Sequence, residues 1–123
     1  MNYYPKNDYK YYYNNLYNKL VLYNEDDLIE DYLDVVTTYL SNHEYDEVFK
    51  IIKSIVEAYN DSNRLNLSDD ILELINKLGI MLRIIYRKSN DLTKNSILEW
   101  INKIERNNYY NNYYLEDIVL SIK

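Results

Sequence analysis

The sequence predicts an all-α protein, a single-domain small helical bundle of five to six helices, on three observations. Apolar residues recur at helical spacing along most of the chain. The 123 residues include one Gly and one Pro (Gly79 and Pro5), whereas sandwiches, barrels and Gly-cradled phosphate sites need many more turn residues. The length suits one compact domain with one core.

The elements follow in order. Tyr9, Tyr13, Leu16, Leu20 and Tyr23 fit the inner stripe of a first helix. From Glu25 to Leu40 the apolar residues Leu28, Tyr32, Val35, Val36 and Tyr39 share one arc, and Asp27, Glu30, Asp31 and Asp34 fall on the opposite arc. Ser41 and Glu44 have capping-box spacing, which predicts a new helix within three residues of the last. That helix, Glu44 to Asn60, buries Val48, Ile52, Ile55 and Tyr59, with Phe49 and Val56 at the edge of its stripe.

Asn60-Asp61-Ser62-Asn63 reads as a loop, and Ser68 then caps a helix with Asp69 and Asp70 in its first turn. Ile71, Leu74, Ile75, Leu78, Met81, Leu82, Ile84 and Ile85 make this helix apolar nearly all round by residues 78–86, as in an element packed on several sides. Gly79 has two readings: it caps a helix end, or it sits within the helix and lets a neighbour approach. Leu92 to Arg106 forms a further helix with Ile97, Trp100, Ile101 and Ile104 inward. The Tyr/Asn run at 107–114 connects it to a closing helix carrying Leu115, Ile118, Val119 and Ile122.

Composition narrows the function. There is no cysteine, which excludes disulfide scaffolds and thiolate metal sites. No apolar h-region and no long apolar window occur, so a membrane association is not expected and residence in the cytoplasm is. The net charge of −6 would repel a nucleic acid at long range and attract a basic protein. Seventeen tyrosines among abundant Asn, Ile and Lys partly reflect an A+T-rich coding sequence.

No catalytic constellation emerges, and neither a metal nor a cofactor is expected. His43 is the one histidine, so two-His metal sites and a dyad with a spare member cannot be built. Carboxylates are plentiful but lie on a polar helix face, whereas acid–base catalysis needs them in a cleft that splits their pKa values. The expected activity is binding, without catalysis, by a monomer or weak dimer.

The most informative feature is a charge block. Between Asn24 and Phe49 stand Glu25, Asp26, Asp27, Glu30, Asp31, Asp34, Glu44, Asp46 and Glu47, with no Lys or Arg. Like charges at i,i+4 repel, and a solvated helix ordinarily intersperses cations. A basic protein partner would relieve that repulsion. The predicted binding surface is therefore Asp27, Glu30, Asp31, Asp34, Glu44, Asp46 and Glu47, with Tyr45 as its aromatic anchor. Arg83, Arg87, Lys88, Lys94, Lys103 and Arg106 make the second half comparatively basic. Tyr11, Tyr12, Tyr45, Tyr109, Tyr110, Tyr113 and Tyr114 fall on no apolar stripe.

Leu28 to Met81 reads as a helix, then Asn42-His43-Glu44-Tyr45 with Val48-Phe49, then an apolar helix, then Leu67-Ser68-Asp69-Asp70 leading to Leu78-Gly79-Ile80. This order resembles the small helical immunity proteins of the Maf and contact-dependent growth inhibition toxin systems. The resemblance covers under half the chain, and its motifs are mostly helix punctuation. It implies a cytoplasmic antidote that neutralises a toxin domain, often a nuclease, and the acidic block would then mimic the charge of the toxin's substrate. A second resemblance, Leu78-Gly79-Ile80-Met81 followed by Tyr86-Arg87 and further helices, is to viral Bcl-like proteins, with Gly79 as a mid-helix packing residue. The remaining alternatives are a phage anti-defence protein and a plain helical adaptor.

Overall fold

In the computed structural model, residues 8–22, 28–62, 69–107, 110 and 112–122 are described, except for the side chains at 28–31, 69–72, 112–114 and 117. Among the described residues the protein is all-α: α1 (Tyr9–Leu22), α2 (Leu28–Ser41), α3 (Tyr45–Asp61), α4 (Asp69–Lys88), α5 (Asp91–Arg106) and α6 (Asn112–Ile122), with no strand. No helix is long and apolar enough to cross a membrane among these residues. The chain divides into two compact units, Met1–Ser62 and Asn63–Lys123.

In the first unit α3 is the central element, packed against both α1 and α2. Twelve of its seventeen residues are buried, Glu47, Ser54, Glu57 and Asn60 among them. A single inward stripe was expected. Contact on two sides requires two stripes, and the second is partly polar. It meets α1 through Tyr12, Leu16 and Leu20, all buried and spaced by four residues along one line. Tyr12 was expected to lie off the apolar face; it is buried instead.

Tyr9 and Tyr13, expected inward, are half-buried on the margin of that line and run into Tyr17 as an aromatic ridge. Lys53 lies over the Tyr9 ring at 4.7 Å from its centroid, and the Tyr13 hydroxyl donates to the Asp61 carboxylate. α1 starts at Asp8, whose Oδ1 accepts from the Tyr11 backbone N–H at 2.8 Å and so serves as its N-cap. α2 buries Tyr32, Val36 and Tyr39, as its pattern predicts. Tyr23 lies outside the described residues.

In the second unit α4, α5 and α6 pack on one another. Leu74, Ile75, Leu78, Leu82 and Ile85 of α4 meet Ile97, Trp100, Ile101 and Ile104 of α5 and Leu115, Ile118 and Val119 of α6 in the interior. Full burial of such a side chain contributes about 1.5–3 kcal/mol. Tyr110, expected in a bare connector, is 4% exposed and donates its backbone N–H to Asn107. Asn90 caps α5, its side chain accepting from the Thr93 N–H at 2.9 Å. Ser68, the expected cap of α4, is outside the described residues.

Gly79 is resolved in favour of one reading. α4 continues nine residues past it to Lys88, Gly79 is buried, and no glycine has positive φ. It is a packing position within a helix, so Leu78-Gly79-Ile80 is not the helix end that the immunity-protein resemblance supposed. α4, expected to pack on several sides, contacts both α5 and α6, but its apolar ring is not covered throughout. Ile80 and Ile84 are exposed, because α5 and α6 cover only the face that carries Leu74, Leu78, Leu82 and Ile85.

Candidate protein-binding site

The site begins where α2 ends. After Ser41 the chain turns through His43 in the left-handed region, φ 61°. The Glu44 N–H reaches back to the Tyr39 carbonyl at 2.9 Å and the His43 N–H to the Leu40 carbonyl at 3.1 Å. These two bonds form a Schellman motif, with His43 at the position that glycine usually fills. Histidine is among the side chains enriched at positive φ, though it bears a cost there that glycine avoids.

Glu44 then serves as N-cap of α3, with no side-chain cap bond of its own, and its carbonyl accepts from Val48 N–H at 3.1 Å. The predicted capping box is corrected here. Ser41 is the last residue of α2, and Glu44 occupies the cap rather than the third helical position. The new helix does start within the expected distance.

Three consecutive residues hold the corner. His43 Nδ1 and the Tyr45 hydroxyl share a hydrogen bond at 2.9 Å, and their rings meet edge to face at 6.0 Å. Tyr45 is half-buried. Asp46 stands exposed beside it in the first turn of α3, where the helix dipole favours a negative charge. Glu44 is half-buried, and Asp34 lies exposed two turns before the end of α2. Between them Thr38 Oγ1 donates to the Asp34 carbonyl at 2.9 Å. Asp27 lies outside the described residues; Glu30 and Asp31 are on α2, and their side chains are not among those described.

Glu47 departs from the predicted face. It is 5% exposed. Its Oε2 accepts from the Tyr12 hydroxyl on α1 at 3.2 Å and its Oε1 from Lys50 Nζ at 2.6 Å. The reading of an uncompensated carboxylate therefore fails at Glu47: its cation is one turn along α3, just beyond the charge block. A position one residue from the Val48 stripe becomes interior once α1 covers the second side of α3.

The surface that remains is compact in sequence and one-signed. Residues 1–62 carry twelve acidic and five basic side chains, net −7; residues 63–123 carry eight acidic and nine basic, net +1. The polarity expected between the halves is thus strong. Lys50 is paired with Glu47 within α3, and Lys53 lies over the Tyr9 ring of α1.

Elsewhere the described residues offer little chemistry. No group of three or more potential metal ligands occurs among them. Among the described residues, Glu99, Asn102, Lys103, Arg106 and Asn107 line an open depression of about 690 Å³ at the end of α5. Comparison with family models, curated proteins and solved structures returns no match.

Proposed function

We propose that the protein is a non-catalytic inhibitor that binds a basic protein domain through the acidic corner between α2 and α3, in the manner of an immunity protein neutralising a nuclease toxin. The observation that carries this reading is that Asp34 near the end of α2 and Asp46 in the first turn of α3 are both exposed, with Tyr45 hydrogen-bonded to His43 at the turn that joins the two helices. An aromatic side chain near exposed carboxylates suits an anchor with a steering field around it. A field of net −7 concentrated in half the chain also speeds encounter with a cationic groove, which an antidote requires.

Co-expression tests it. Cells that make a toxin domain encoded directly upstream of this gene should survive when they also make this chain, and the two should co-purify. Neither survival nor co-purification would end the immunity reading.

A second reading draws on Gly79. A buried mid-helix glycine within α4 supports an inhibitor that acts on a host protein by helix–groove or surface contact, as viral Bcl-like and phage anti-defence proteins do. Pull-down from host cells returning pro-apoptotic helices or signalling adaptors, with no toxin protection, would favour it over the first.

A further inference from the structure

His43 stands at a position that backbone preference does not explain. Its φ of 61° lies in the left-handed region, where glycine would make the same turn without the cost that an imidazole bears. A costly residue held at a binding corner points to a use for its side chain. The ring is exposed, and its Nδ1 is 2.9 Å from the Tyr45 hydroxyl. Histidine is the side chain whose ordinary titration falls between pH 5 and 8, and this chain has one. Among the described side chains, Asp34 stands on α2, and Glu44 and Asp46 stand at the start of α3. The other titratable groups about the turn are engaged or buried: Glu47 holds Lys50 and the Tyr12 hydroxyl of α1, and Tyr39 is 3% exposed.

We infer, on the reading of the α2–α3 corner as the binding surface, that His43 makes this corner pH-sensitive: taking up a proton, it sets a positive charge among the carboxylates and loosens the hold on a basic partner. An imidazolium carries a proton on both nitrogens, so Nδ1–H donates to the Tyr45 oxygen and the contact persists. The turn keeps its hydrogen bond while its charge changes by one, and the Tyr45 proton turns outward. A unit charge about 8 Å from a cation of the partner, in water, corresponds to about a two- to threefold change in affinity.

Calorimetric titration of the full chain with a hexa-arginine peptide, at about 20 mM salt where screening is weak, tests the switch. Affinity should be about two- to threefold weaker at pH 5.5 than at pH 8. At about pH 6.5 binding should release a fraction of a proton, seen as an enthalpy that varies with the ionisation enthalpy of the buffer. H43N suits the left-handed turn and keeps every other group that titrates in this window. It should still bind, with most of the pH dependence and of the proton release gone. Wild type that binds equally well at pH 5.5 and pH 8, or H43N that keeps the wild-type pH dependence, overturns the inference and leaves the acidic surface standing. A peptide that binds neither protein at either pH removes the binding surface itself, and the switch with it.

Discussion

The Tyr12 hydroxyl on α1 donates to Glu47 on α3 across 3.2 Å, and Lys50 closes on the other oxygen of the same carboxylate. Thirty-five residues separate Tyr12 from Glu47, so the bond ties the first helix to the central one. Both residues are buried, at 4% and 5% exposure. A buried carboxylate is tolerated only when its lone pairs are engaged, and here each oxygen has a donor. Glu47→Ala should destabilise the protein by about 1–3 kcal/mol, because it removes the buried acceptor of the Tyr12 hydroxyl and the ion pair of Lys50. Tyr12→Phe should cost about 0.5–1.5 kcal/mol. Urea unfolding of the two single variants and the double should show a coupling energy; strictly additive losses would mean that the bond contributes nothing.

The turn at His43 makes a prediction of the opposite sign. His43→Gly removes the penalty of a side chain at positive φ and should stabilise by about 0.5–1 kcal/mol, raising Tm by about 2–4 °C. His43→Val should lower Tm, since a β-branched residue is least suited to that region. If thermal melts place the valine variant at or above the glycine variant, the turn is not the one described.

Gly79 separates packing from capping. Within a buried stretch of α4, Gly79→Leu should overpack the interior and cost about 1–3 kcal/mol or more. A glycine at an exposed helix end would accept leucine with a far smaller loss. Denaturant midpoints at unchanged m-value give the answer.

Asn90 is the side-chain cap of α5. Asn90→Ala should cost about 1 kcal/mol, and Asn90→Asp or Asn90→Ser should recover most of it. Equal stability for all three would mean that the Thr93 N–H finds water as readily as the Asn90 side chain.

Asp34→Lys with Asp46→Lys tests the acidic corner. Both residues are exposed, so the fold should persist and circular dichroism should be unchanged. Association with a cationic partner domain should slow, most strongly at low salt. An on-rate and salt slope identical to wild type would reduce the two carboxylates to solvated surface.

The helices were legible from the sequence because each rests on a local rule. The 3.6-residue spacing of Tyr32, Val36 and Tyr39, or of Ile97, Trp100, Ile101 and Ile104, follows from geometry within one helix, and the α5 boundaries fall within about a residue of those expected. The acidic block and the polarity between halves are equally properties of the chain. What periodicity does not contain is the number of neighbours a helix acquires. Glu47 and Tyr12 became interior because α3 is packed on two sides; Ile80 and Ile84 became exterior because one side of α4 is left open. Gly79 was balanced between cap and packing position until the backbone ran through it unbroken. The Ser41–Glu44 spacing was equally ambiguous, because two helix ends share those residues and the Schellman bonds of His43 and Glu44 decide which end owns them. Local spacing determined which residues form helices and which faces are apolar. Only tertiary contact, by removing water from one more side of α3 and from one fewer side of α4, decided which charges are held and which are offered.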